Sequence, residues 1–232
     1  MNDRAKCVVL VPANYGIEPE CERSLVQLER RGYPVWRIRG FANIDQCRNE
    51  AATDALARDF EELFWIDADV AFHPDAVDQL RTHNLPLVSG IYPKKSQRSL
   101  ASRLFPETKE ILFGAGGSVI EILYTATGFL HTRREVYETI QRQLNLPICN
   151  KQWRKPTVPY FMPMVIETER GPWYLGDDFA FSHRAREAGF KIFADTTIRL
   201  GHIGRHAYSW EDAGGSNQRF ASYLYRVLDA EE

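Results

Sequence analysis

Leu63-Phe64-Trp65-Ile66-Asp67-Ala68-Asp69 runs a large apolar stretch straight into two carboxylates separated by one alanine. A short continuous apolar run of this kind is the pattern of a strand buried on both faces. Outward from it, the chain alternates strand-like and helix-like segments. Residues 7–12 form a Val-rich apolar run closed by Pro12, and residues 18–31 place Leu25 and Leu28 at helical spacing before a Gly32 stop. Residues 35–39 alternate apolar and basic side chains. Residues 45–60 are rich in Ala and Leu, with Asp45 as an N-cap candidate. A short helix is expected from Pro74 to Thr82 and a strand at residues 87–90. This alternation predicts an α/β fold with a mixed, mainly parallel sheet flanked by helices.

The second half is less regular. Residues 100–112 and 119–127 are expected as antiparallel strands, 133–144 and 179–188 as helices, and 192–194 as a strand. Residues 145–164 hold four prolines and three aromatics and read as a long irregular loop of the kind used as a lid.

Bulk composition narrows the function classes. A chain of 232 residues, 44% hydrophobic and 26% charged, is expected as a single domain over 1–232, with a nucleotide-binding half (1–95) and an acceptor-binding, catalytic half (96–232). A formal charge of -2 gives no general attraction to nucleic acid. Two basic clusters, Lys94, Lys95 and Arg98, and Lys151, Arg154 and Lys155, are either a local groove or solvated surface. Cys7, Cys21, Cys47 and Cys149 make no C-x-x-C pair, which argues against a zinc ribbon or a disulfide framework and for a reducing compartment. No segment approaches the ~18 apolar residues of a membrane span, so a soluble, cytoplasmic protein is expected, with peripheral membrane association as the other option.

Asp67 and Asp69 carry the chemistry. If the strand geometry continues through them, both carboxylates point to one side. Their repulsion would be relieved by Mg²⁺ or Mn²⁺, hard ions that keep open positions for phosphate oxygens. Ligands of open α/β sheets bind beyond the carboxyl ends of strands, where this pair stands. D-x-D also occurs in solvated turns, but here Val70-Ala71-Phe72 follows, and carboxylates bracketed by core strand need a reason.

With these residues the chain resembles GT-A glycosyltransferases of the family 2-like group. The matching stretches are Val9-Leu10-Val11-Pro12, Arg48-Asn49, Phe64 to Asp69, Val88-Ser89-Gly90-Ile91-Tyr92-Pro93-Lys94, and Tyr174-Leu175-Gly176-Asp177-Asp178-Phe179, together spanning about residues 7 to 206. The resemblance implies a nucleotide-diphospho-sugar donor such as a UDP- or GDP-sugar. Pro12, Ala13 and Asn14 would line the nucleoside pocket, Arg48 would help hold base or phosphate, and Ala68 would lie against the nucleotide. Asp69 would bind the metal, with Asp67 contacting nucleotide or metal-bound water. Asp177-Asp178 resembles the x-E-D motif with Asp in place of Glu, so Asp178 would be the general base of an inverting transfer, with Asp177 as second candidate; the residue-level alternative is a helix cap. His202 would be the late metal ligand. His206, four residues on, is the reserve, and a helical zinc pair with His202 is disfavoured by Gly204. Thr127 and Gly128 would touch donor sugar or acceptor, unless Gly128 is merely a bend. The acceptor is a carbohydrate, a lipid-linked group or a protein. Trp153, Trp173 and Trp210 are available to pack on sugar rings. The rival readings are a haloacid-dehalogenase-type phosphatase or phosphotransferase, a sugar nucleotidyltransferase, and an inactive nucleotide-sugar or carbohydrate-binding module.

Overall fold

The computed structural model describes residues 3–204, 206–214 and 221–227. Its elements in chain order are β1 (Cys7–Pro12), α1 (Pro19–Arg30), β2 (Val35–Ile38), α2 (Ile44–Ala57), β3 (Glu62–Ile66), β4 (Val70–Ala71), α3 (Asp75–Thr82), β5 (Leu87–Gly90), β6 (Glu110–Gly114), β7 (Val119–Ile122), β8 (Phe129–Arg133), α4 (Arg134–Gln143), β9 (Met164–Thr168), β10 (Gly171–Leu175), α5 (Asp177–Glu187), β11 (Ile192–Asp195), β12 (Gly201–Ile203), β13 (Ala207–Tyr208), α6 (Trp210–Ala213) and β14 (Ser222–Arg226). A seven-stranded sheet in the order β2-β1-β3-β8-β5-β11-β7 forms the centre. β1, β2 and β3 are mutually parallel, as are β5 and β11, while β8 and β7 run against their neighbours. This is the mixed, mainly parallel sheet flanked by helices that the alternation predicts.

The two-residue period of a strand explains how both faces are covered. Along β1, Val8 and Leu10 pack with Ala51, Ala52 and Ala55 of α2, while Cys7, Val9 and Val11 pack with Leu25 and Leu28 of α1. The small alanines let α2 lie close on the sheet, and that closeness sinks Arg48, one turn from the helix start, to 3% exposure. Asp45 is not the N-cap: α2 begins at Ile44, and Asp45 lies in its first turn, where its charge suits the helix dipole.

Three expectations are corrected. Residues 100–112 are not one strand, because Pro106 sits in a turn closed by Thr108 N–H on the Phe105 carbonyl and only β6 follows. Residues 119–127 are not one strand either: β7 covers only Val119–Ile122, and the central strand β8 that follows was not expected, because its His131 and Thr132 are fully buried with polar partners. His131 shares Glu62 at 2.7 Å, and Thr132 donates to the Leu63 carbonyl. Residues 145–164 are not a free lid. Val158 N–H is held by Thr53, Phe161 N–H by the Asn49 side chain at 2.6 Å, and Arg184 donates to the Tyr160 and Met162 carbonyls. The tip around the 3₁₀ turn Lys151–Trp153 stands in solvent.

Among the described residues no helix is long and apolar enough to cross a membrane.

Candidate functional site

The candidate site forms where strands end. β8 runs antiparallel to β3, pairing Phe129 with Ile66, so Thr127 and Gly128 arrive at the same end of the sheet as Asp67. β1 delivers Pro12, Ala13 and Asn14 there. α5 opens there with Asp177 and Asp178. The short pairing of β12 with β4 sets His202 opposite Val70, next to Asp69.

Asp67 and Asp69 line the same cleft but not through continued strand geometry, and they do not share partners. β3 stops at Ile66, and the Val70 N–H closes a turn on the Asp67 carbonyl at 3.1 Å. The turn sends the two carboxylates to different partners. Asp67 takes Arg48 Nη2 at 2.8 Å, whereas Asp69 takes Lys95 Nζ at 2.5 Å and faces His202 Nε2 at 3.6 Å.

Arg48 is the hub. Its Nη1 bonds both Asp177 and Asp178, and its Nη2 bonds Asp67. One buried guanidinium thus faces three carboxylates, an excess of two negative charges when all are ionised. Burial, reinforced by Asp178 and only partly offset by Arg48, raises Asp177 to about 6. Burial also raises Asp67, against the pull of Arg48. The buried cluster at the other end of the sheet behaves oppositely: against burial, Arg81 and His131 hold Glu62 down at about 2. A satisfied structural network keeps its acid ionised, whereas the excess charge at the strand ends is the arrangement found where a protein handles protons or cations.

The helix-cap reading of the acidic pair does not hold. Gly176 occupies the N-cap position of α5, no side chain caps it, and both aspartates turn toward Arg48. Thr127, fully buried, donates its hydroxyl to Asp178 Oδ1 at 2.6 Å, fixing that carboxylate's direction.

Gly128 is required by space rather than by a bend. Its N–H donates to Tyr92 Oη at 3.0 Å, and its carbonyl accepts from Asp67 N–H. A Cβ there would sit 2.2 Å from Tyr92 Oη and 2.7 Å from Asp67 Oδ2. Gly128→Ala is therefore expected to cost about 1–3 kcal/mol, as overpacking does, seen as a lowered midpoint in thermal unfolding; an unchanged midpoint would mean that Tyr92 moves aside freely.

A cleft of about 600 Å³ is lined among others by Pro12, Ala13, Asn14, Arg48, Asp67, Asp69 and His202, and Arg48 and Asp67 link its wall to the Asp177–Asp178 pair behind it. Asn14 acts through its side chain on the protein itself: its amide donates to the Phe41 carbonyl at 2.7 Å and accepts from Gly40 N–H, clamping the loop after β2 to the end of β1. Tyr15 stands fully exposed on the cleft wall. Sequence reasoning gave Tyr15, Tyr92 and Lys95 no part in the site. For Lys95 the signal was present in the Lys94, Lys95, Arg98 cluster, in which Lys94 turns to solvent and Lys95 turns inward.

Comparison with known proteins places the fold. The crystal structure of A197 from STIV superposes with a TM-score of 0.56 at 17% identity, covering 89% of this chain and 91% of that one. The two share a fold. A UDP-glucose pyrophosphorylase solved with UDP-glucose (TM-score 0.37, 9% identity, 91% of this chain and 78% of that one) is too distant to carry an argument. The same holds for a glycosyltransferase involved in glycosylation of the major capsid of PBCV-1 (TM-score 0.33, 11% identity, 82% and 92%). No family model matches the chain, and the search of curated proteins finds no match.

Several sequence candidates fall elsewhere. Trp210 is 1% exposed, stacked on Phe113 and bonded to the Ile91 carbonyl, so it is core and not a sugar platform. Trp173 packs on Tyr124 and Phe179. His206 lies in the turn between β12 and β13, against the Tyr208 ring, so the helical zinc pair with His202 does not form.

For a divalent metal the donor set is partial. His202 Nδ1 lies 2.9 Å from the Pro93 carbonyl, which can only accept, so Nδ1 carries a proton and Nε2 is the ring nitrogen turned toward Asp69. The carboxylate suits Mn²⁺ or Mg²⁺, while the imidazole favours a transition ion, so the pair suits Mn²⁺ better than Mg²⁺. Among the described residues no group of three or more His, Cys, Asp or Glu side chains is placed to hold an ion. Asp69 and His202 are thus two side chains, facing each other at 3.6 Å, that could contribute to holding a cation here.

Proposed function

We propose that this chain is a glycosyltransferase that moves a sugar from a nucleotide-diphosphate donor to an acceptor hydroxyl. The observation that carries the proposal is the convergence, at the strand ends, of two differently wired acidic groups. Asp69 and His202 face each other on one wall of the cleft, and the Asp177–Asp178 pair is tied to Asp67 through Arg48. The first arrangement suits the charge of a diphosphate with a divalent cation; the second suits proton transfer.

In this reading Pro12, Ala13 and Ala68 form the nucleoside wall, with Asn14 holding its shape. A divalent cation, when bound, neutralises charge on the departing diphosphate. Asp178 accepts the proton of the acceptor hydroxyl, its carboxylate aimed by the Thr127 hydroxyl. Arg48 keeps Asp67, Asp177 and Asp178 together rather than gripping the phosphates, since both its terminal nitrogens already bond these carboxylates.

Calorimetric screening of nucleoside diphosphates and their sugars, with Mn²⁺ and with EDTA, tests the proposal. Metal-dependent binding of at least one is expected, and Asp69→Asn should remove the metal-dependent part. No binding of any nucleoside diphosphate under either condition sinks it.

A further inference from the structure

The inference concerns Lys95, and it rests on the reading of the cleft as a diphosphate site. Its ammonium lies 2.5 Å from Asp69 Oδ2, on the carboxylate whose other oxygen faces His202 Nε2 at 3.6 Å. Two residues earlier, the Pro93 carbonyl fixes the ring of His202. One short segment, Pro93-Lys94-Lys95, thus orients one metal donor and covers the other. The lysine stem is also shelved: Gly204 leaves it room, since a Cβ there would approach Lys95 Cδ to 3.2 Å. Lys95 and Asp69 both line the cleft.

Elementary electrostatics then sets up a competition. A dication on Asp69 and an ammonium 2.5 Å from the same carboxylate compete for one anion and repel each other at short range, with water at these half-exposed side chains moderating the repulsion without removing it. A metal arriving alone must displace Lys95 into solvent, with nothing gained for the lysine. A diphosphate in the cleft offers the ammonium a new anion and offers the metal its missing oxygen ligands. We propose that Lys95 is a cation stand-in at Asp69 that keeps metal out until a diphosphate arrives, and then transfers to the diphosphate, so that metal and donor bind cooperatively.

The test uses Mn²⁺ and inorganic diphosphate as probes, on the full chain, with free Mn²⁺ read by electron paramagnetic resonance and diphosphate by calorimetry. For the wild type, diphosphate should tighten Mn²⁺ binding by about 5–150-fold, the usual range of such coupling. Lys95→Met should bind Mn²⁺ alone about tenfold more tightly, bind diphosphate more weakly in EDTA, and lose most of the coupling. Lys95→Arg, which keeps the charge, should behave like the wild type, and it keeps the test decisive if Lys95→Met fails to fold: Lys95→Arg binding Mn²⁺ alone about tenfold more tightly than the wild type overturns the idea. An unchanged or weaker affinity of Lys95→Met for Mn²⁺ alone overturns the role of Lys95 while leaving the glycosyltransferase reading intact. If neither wild type nor variant binds Mn²⁺ even with diphosphate, both fall together.

Discussion

Arg48→Met is expected to destabilise the fold by about 3–5 kcal/mol, the usual result of removing one partner from a buried ion pair. The substitution keeps most of the side-chain volume, so the loss is electrostatic. Arg48 is 3% exposed, and Asp67, Asp177 and Asp178 around it have side-chain exposures of 29%, 19% and 31%. Three carboxylates would remain close together with no counter-charge. The pH dependence has a definite sign. Asp177 already sits at about 6 in the folded protein, above the ~3.9 of an unfolded aspartate, and losing Arg48 moves it further up. A raised folded value gives stability that is present below about pH 4 and is lost as pH rises through the folded value. The deficit of Arg48→Met should therefore be larger at pH 8 than at pH 5. Asp69 and Glu62, both held near 2, are ionised at either pH and do not contribute to the difference. Urea unfolding of both proteins at the two pH values makes the comparison, and equal deficits would show that the carboxylates are not electrostatically coupled.

Asp178→Asn is expected to lower transfer by about 10²–10⁴-fold, the usual contribution of a general base, with donor binding little changed. The amide keeps the size of the carboxylate and its bond from the Thr127 hydroxyl, but it accepts no proton. Stability should stay level or rise, because one of three like charges around Arg48 is gone. A variant that gains stability while losing turnover marks a residue kept for chemistry at a structural cost. Turnover within tenfold of the wild type, measured with the donor that calorimetric screening identifies, would move the base to Asp177.

The candidate site was partly legible because its residues punctuate strand ends. Asp67, Asp69 and the Asp177–Asp178 pair interrupt apolar runs, and an acid in such a place needs a partner. What periodicity could not supply was the partner. Arg48 reads as an ordinary charge on an alanine-rich helix; only the close packing of Ala51, Ala52 and Ala55 on β1 reveals that it points inward. Lys95 reads as one of several surface cations until the β12–β4 pairing brings His202 beside Asp69, within reach of its ammonium. The strand β8 was hidden for a related reason, since its His131 and Thr132 are polar residues satisfied by groups distant in sequence.

The sequence by itself determined the α/β class, the parallel first half and the acids at strand ends, because apolar period and turn chemistry are local properties of the chain. Only the tertiary structure decided which cation answers which carboxylate. The turn after Ile66 separates Asp67 from Asp69, giving one to Arg48 and the other to Lys95 and His202. Charge pairing acts across space, between residues as far apart along the chain as Arg48 and Asp178, and no local pattern encodes it.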